Sequence, residues 1–154
     1  MAEDRDVAVN GHVQHDVGDT RLEEGSLIEA GQLYADALEM FRSIDDPWGC
    51  AIVLQTLGAV ALRRDDVAAA RGHYSESVAI CRSMNNSENI ARGLIGLAVT
   101  ALGERDVDKA EALLSESIAI WRDLGSRAGI AMCLAGLASA EASRGRFVEA
   151  ARLF

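Results

Sequence analysis

Residues 47–86 and 87–126 are two copies of one pattern. Laid over each other without a gap at an offset of 40 residues, Leu57 falls on Leu97, Val67 on Val107, Ala70 on Ala110, Ser75-Glu76-Ser77 on Ser115-Glu116-Ser117 and Arg82 on Arg122. A third copy starts at Arg127, keeps Ile130, Leu134, Leu137 and Ala150 in register, and runs to Phe154. Backwards, Ala30, Tyr34 and Arg42 fall on Ala70, Tyr74 and Arg82. A fixed period of this size is the signature of stacked repeats, in which each unit buries its apolar face only against its neighbours.

Inside one copy the apolar residues follow the helical period and do not alternate. Ile52, Val53, Leu54, Leu57, Val60, Ala61 and Leu62 make one helix, and Val67, Ala70, Tyr74, Val78, Ile80 and Cys81 make a second. Arg64-Asp65-Asp66 lies between them as a tight polar turn, so each repeat is a hairpin of helix A and helix B. Short polar residues stand where the helices start. Asp46, Asn86 and Ser126 precede the A helices, and Ser26, Asp66 and Asp106 precede the B helices; such side chains accept from the free N–H groups of a first turn. Pro47 follows Asp46 at the first helical position, where its missing N–H costs nothing. Ser26 with Glu29 three residues on is a capping-box pattern, while Arg146 breaks the run of caps.

Gly58, Ala98 and Ala138 on helix A, and Ala70, Ala110 and Ala150 on helix B, recur as small residues, so helix A is expected to cross its own helix B there. Tyr74, Leu114 and Phe154, with Phe41, Cys81 and Trp121, are expected to fill the space between neighbouring repeats. Ser75-Glu76-Ser77 and its copy recur with the repeat, which argues against catalysis and for an exposed or semi-exposed strip of helix B.

The pattern resembles the tetratricopeptide repeat, whose signature is W-x2-L-G-x2-Y, then A-x3-F, then P. Here the copies read Leu54-x2-Leu57-Gly58-x2-Ala61 with Ala70-x3-Tyr74, Leu94-x2-Leu97-Ala98-x2-Ala101 with Ala110-x3-Leu114, and Leu134-x2-Leu137-Ala138 with Ala150-x3-Phe154. The tryptophan is replaced by leucine, the first tyrosine by alanine or Glu141, and the closing proline is missing. The period of 40 exceeds the family's 34. The longer variety is similar to the repeat arms of bacterial MalT-like and LuxR-like signal-transduction regulators. The resemblance implies an all-α, right-handed superhelical array of antiparallel hairpins, an α-solenoid.

The expected organisation is residues 1–24 as a polar N-terminal tail or degenerate capping helix, then an array over 25–154. The array comprises a B helix at 27–44, repeats at 47–86 and 87–126, and a partial repeat at 127–154. In the first stretch Val17-Gly18 falls on Leu57-Gly58 and Leu22 on Leu62, but His12 stands where Ile52 does and Gln14 where Leu54 does. His12, His15, Asp16 and Asp19 share helical spacing; the cluster is not repeated, so a hydrophilic outer face is the expected reading and no metal or other cofactor is expected.

Charge is uneven. Residues 1–46 hold 12 acids and 3 bases, and residues 47–154 hold 12 of each, so the whole formal charge of −9 lies on the first part. Solvation of an end cap accounts for such a face, and a steering surface for a basic partner is the functional alternative. A chain this acidic is not expected to bind nucleic acid directly. No apolar run suits a membrane span and no secretory pattern opens the chain, so a cytoplasmic location is expected. Cys50, Cys81 and Cys133 are far apart and occupy apolar helical positions, as small buried hydrophobes do. No phosphate loop, nucleophile elbow or His-Glu metalloprotease pattern is present, and the chain is not expected to be an enzyme.

A stack of hairpins winds with its A helices on a concave face. The tetratricopeptide resemblance implies partner contacts at Gln55 and Ala59, Ile95 and Val99, Ala135 and Ser139, flanked by Ile52, Leu62, Arg63, Arg92, Leu102 and Met132. Members that grip chaperone C-termini carry Lys and Asn at such points; none stands here, which argues against that role. The groove is mostly apolar and suits an amphipathic helix or apolar peptide. The expected function is therefore a protein-interaction module, the scaffold or sensor arm of a bacterial regulator. The alternatives are a receptor for a small signalling peptide or metabolite, and a self-assembling repeat domain. The last B helix, starting near Phe147, has barely two turns before Phe154. It is expected either to continue in a longer protein or to self-associate through this C-terminal end.

Overall fold

A computed structural model describes the backbone of residues 3–145 and the side chains of residues 23–145. The described residues form six helices and no strand: α1 (Glu3–Ser43), α2 (Pro47–Arg63), α3 (Val67–Ser83), α4 (Ser87–Gly103), α5 (Val107–Asp123) and α6 (Arg127–Ser143). Consecutive helices pack as antiparallel neighbours, which makes the chain an all-α solenoid. Helices α2, α4 and α6 are the A helices; the second half of α1, with α3 and α5, are the B helices.

Each of α2–α6 is 17 residues long because the same turn stops each one and starts the next. At the α2–α3 junction the N–H of Asp65 donates to the Leu62 carbonyl and that of Asp66 to the Ala61 carbonyl. This is the double bond of a Schellman ending, with the left-handed residue at Asp65 (φ 57°). Asp66 then turns its carboxylate on the Ala69 N–H at 3.1 Å and so caps α3. One residue closes one helix and opens the next. Asp46, Asn86, Asp106 and Ser126 do the same for Gly49, Asn89, Lys109 and Gly129, as their polar side chains led one to expect. The left-handed positions recur every 20 residues, at Asp45, Asp65, Asn85, Arg105, Gly125 and Gly145.

The core lies between the hairpins. Tyr74 is the clearest wedge: its ring lies where a Cβ on Gly58 of α2 would meet it at 2.7 Å and a Cβ on Gly96 of α4 at 2.3 Å. Phe41 sits in the same way on Gly49, Trp121 on Gly129, and Leu114 on Gly136. Gly58 therefore marks the crossing of α2 with its own B helix, as expected. Ala70, Ala98 and Ala110 are fully buried, while Ala138 is exposed. Cys50, Cys81 and Cys133 are buried and free, and burial pushes the Cys81 thiol up.

Two expectations are corrected. First, α1 is one helix of 41 residues with no turn before Ser26, so Ser26 caps nothing in this structure. A turn there would have to be held by packing of residues 7–24 onto the next helix, and that stretch offers Gln14 where the other repeats offer Leu54, Leu94 and Leu134. Gly25 and Ser26 are tolerated inside a helix at a cost of about 1 kcal/mol or less each. The His12, His15, Asp16 and Asp19 cluster, and the partial B helix from Phe147 with Arg146, Ala150 and Phe154, lie outside the residues whose side chains are described. Second, the Ser-Glu-Ser strip is only half exposed. Ser77 and Ser117 are fully buried and donate to the Ala51 and Ala91 carbonyls at 2.8 and 2.9 Å. A hydroxyl facing a carbonyl of the paired helix ties A to B where a larger apolar side chain would not fit. The glutamates between the serines face outward: Glu76 accepts from Arg42 at 2.6 Å and Glu116 from Arg82 at 2.7 Å.

Arg105 is the one non-glycine left-handed residue here that is neither Asp nor Asn, and a β-carbon in that conformation costs about 1–2 kcal/mol. Replacing it by Gly is expected to raise unfolding free energy by about 0.5–1 kcal/mol after the added unfolded-state entropy is counted. Urea denaturation checks this; unchanged or lower stability would contradict the turn assignment.

Candidate partner groove

The backbones of α2, α4 and α6 approach one another along the array. The B helices are linked instead by the long pairs Arg42–Glu76 and Arg82–Glu116, which span α1 to α3 and α3 to α5. The A side is the shorter circumference, so the stack curves with A helices inside. Exposed ion pairs of this kind contribute about 0.2–1 kcal/mol each, so they decorate the outer side and do not hold it.

On the inner side a groove of about 300 Å³ is lined by Gln55 and Leu62 of α2, Tyr74 of α3, Arg92, Ile95, Gly96 and Val99 of α4, and Met132 of α6. Val99 is 44% exposed and Met132 48%. The polar groups at its edge are already engaged. Arg92 donates through Nη2 to Glu88 Oε1 at 2.8 Å and through Nε at 3.2 Å. Gln55 Nε2 donates to the Asn89 carbonyl at 2.9 Å, which joins α2 to the start of α4. Tyr74 forms part of the wall, and burial raises its phenol above the ordinary tyrosine range.

The structure brings together six of the residues anticipated for partner contact: Gln55, Leu62, Arg92, Ile95, Val99 and Met132. Ala59 and Arg63 line a separate groove between α1 and α2, with Leu27, Ala30, Tyr34 and Val60. Arg63 pairs there with Glu23. Ile52 is exposed, Ala135 and Ser139 are exposed on α6, and Leu102 is half-buried against the core around Leu114. None of these four lines either groove. Sequence reasoning missed Tyr74 and Gly96 as groove residues. The signal was a glycine at 96, one residue before the Leu97-Ala98 pair, next to an aromatic on the preceding B helix; an aromatic seated on a bare backbone leaves a dip beside it.

Among the described residues no helix is long and apolar enough to cross a membrane, and no group of three or more His, Cys, Asp or Glu gathers as a metal site would need.

Comparison with known proteins agrees with this architecture. A family profile described as "Tetratricopeptide repeat" matches residues 11–83. The solved structure titled "Crystal structure of BtubC (BKLC) from P. vanneervenii" superposes with a TM-score of 0.71 at 19% identity, over 83% of this chain and 54% of that one. At this identity the likeness is one of fold, and the chain spans about half the length of that protein. No curated protein matches in sequence.

The wedge predicts strong coupling. Gly96→Ala forces a methyl into the Tyr74 ring and is expected to cost about 1–3 kcal/mol, the usual range for overpacking. Tyr74→Leu, which copies Leu114, should recover at least about 1 kcal/mol of that loss in a double-mutant cycle. Additive effects would show that ring and glycine do not touch.

Proposed function

We propose that this tetratricopeptide-like solenoid is a non-catalytic protein-interaction module that seats a partner's helix or peptide in its A-helix groove. Tetratricopeptide repeats generally mediate contacts between proteins, and the match over residues 11–83 brings that general role into view. The observation that carries the reading is the state of the groove. Its apolar side chains, Val99 and Met132 above all, stand open to water, while Arg92 is paired with Glu88 and Gln55 donates to the Asn89 carbonyl. Such a surface gains from covering apolar area and has little to offer an isolated charge. An amphipathic helix with apolar residues on one stripe has the matching chemistry.

The same reading makes the chain the scaffold or sensor arm of a bacterial regulatory protein in the cytoplasm. It is supported by the long 40-residue period, which is similar to such arms. A reading frame that also encodes a phosphate-loop ATPase or a helix-turn-helix would support it, and an isolated repeat gene would not.

The groove is tested by NMR titration with synthetic amphipathic helical peptides and scrambled peptides of the same composition. Amide shifts are expected around Gln55, Ile95, Val99 and Met132 with the amphipathic set alone. Val99→Glu should weaken binding tenfold or more, because a carboxylate would be buried without a partner. Equal response to scrambled peptides, or shifts confined to other faces, would overturn the reading. A response only to small metabolites would favour a small-ligand receptor, and sedimentation to a dimer with the groove protected would favour self-assembly.

A further inference from the structure

The turns fall on two edges of the stack. Helices α2 to α6 have equal length and reverse direction at each turn, so turns that end B helices share one edge and turns that end A helices share the other. The residue just before the left-handed position differs between the edges. At the A-helix ends it is Arg64, Glu104 or Arg144; at the B-helix ends it is Ile44, Met84 or Leu124. Those three apolar side chains are 69%, 37% and 48% exposed. Helix ending does not require them. The apolar contact of a Schellman ending uses the residue after the left-handed one, and a hydrophobic staple uses the left-handed residue itself. At these turns both positions are polar or glycine, so the row of Ile44, Met84 and Leu124 serves no capping role.

The same edge changes sign along its length. Residues 42–48 set Arg42 against Asp45 and Asp46, a net −1. Residues 82–88 set Arg82 against Glu88, a net of zero, and residues 122–128 set Arg122 and Arg127 against Asp123, a net +1. Arg42, Arg82 and Glu88 are already paired, with Glu76, Glu116 and Arg92. Asp45 at one end, and Arg122 and Arg127 at the other, form no ion pair among the described residues. The two ends also differ in shape. Beside Asp45 lies a hollow of about 420 Å³, lined in part by Phe41, Pro47, Cys50 and Ile80. Cys50 stands there in the register of Ile90 and Ile130, which are larger. At the far end Leu124 stands exposed, with Arg122 and Arg127 on either side of it in sequence.

We propose that two copies of this chain associate antiparallel along the edge of Ile44, Met84 and Leu124 as a two-fold symmetric dimer. A row that is acidic at one end, neutral in the middle and basic at the other is complementary to itself when reversed. A two-fold axis beside Met84 brings Met84 against the partner's Met84. It also brings Leu124 to the hollow beside the partner's Asp45, and symmetry makes that contact twice. A parallel pair would set like charges together. A head-to-tail contact would join one acidic end to one basic end and leave Met84 bare. The interface is small. Three apolar side chains from each copy fall short of the roughly 1,200 Å² of a stable specific complex, so the dimer is weak and forms as concentration rises. The A-helix groove around Val99 stays open in it, so this inference goes beyond the interaction-module reading and stands or falls apart from it.

Cysteine cross-linking reads the register. The three native cysteines are buried, so wild type oxidised in parallel is the control. Met84→Cys is expected to form a disulfide dimer with itself, because a disulfide needs Cα atoms within about 7 Å and a residue beside the axis meets its own mate. Ile44→Cys and Leu124→Cys are not expected to link to themselves, but an equimolar mixture of the two should give the mixed dimer. Sedimentation equilibrium reads the strength. Asp45→Arg is expected to raise the dimer Kd about tenfold, since the change enters a symmetric interface twice. Arg105 occupies the same kind of left-handed position, so the turn accepts arginine. Adding Arg127→Asp to the same chain should restore the dimer. A wild-type chain still monomeric at about 1 mM overturns the proposal. So does a dimer that Asp45→Arg leaves unweakened, or one whose edge cysteines do not cross-link. Self-linking of all three single variants would show a parallel pair, and linking of the mixture without Met84→Cys a head-to-tail chain; either result overturns it as well.

Discussion

A large side chain on each B helix, pressed into a gap in the A helix beside it, is what the array depends on. Phe41 fills the space over Gly49, Tyr74 that between Gly58 and Gly96, Leu114 that over Gly136, and Trp121 that over Gly129. In a repeat solenoid each unit contacts only its neighbours, so each interface must be dense in its own right. The sizes compensate locally. Where the B helix offers Phe41 or Trp121, the following A helix offers glycine. In the middle repeat the equivalent pair is Cys81 and Asn89, both buried. Total volume is conserved while identity drifts, as packed cores tolerate.

The wedges also shape the surface. A glycine that receives a ring carries no side chain of its own, so the inner face dips at Gly96 beside Tyr74, and Val99 and Met132 stand proud at its rim. Packing and groove are two sides of the same contact. The buried hydroxyls of Ser77 and Ser117 act in the same layer, fixing the depth at which each B helix sits against the Ala51 and Ala91 carbonyls. Cys133 reaches the Ser117 hydroxyl at 3.3 Å, which extends this polar contact to the next A helix.

The corrected expectations share a cause. Ser77 was misread because its neighbours Ser75 and Glu76 are exposed, and periodicity assigns a face only to within one residue. Ser26 was misread because a capping box describes a local preference, and a turn also needs something to fold back onto. The repeat register foresaw the other turns correctly, since Asp46, Asp66, Asn86, Asp106 and Ser126 combine a good cap with a well-packed helix on either side. Six of the twelve expected groove residues converge; the others are separated because curvature and helix rotation, which no spacing rule specifies, decide which side chains face the same hollow.

By itself the sequence determined the repeat length, the hairpins, the residues that end and begin each helix from α2 onward, and the small-against-large pairing that lets them stack. These follow from local rules: short polar caps, left-handed positions and helical periodicity act within a few residues of one another. The tertiary structure decided that Tyr74 belongs to both core and groove, that Ser77 and Ser117 are buried, and that α1 continues through Gly25. Each of those depends on what a neighbouring helix supplies at a given point in space, and the energy of covering a surface is set by the partner that covers it.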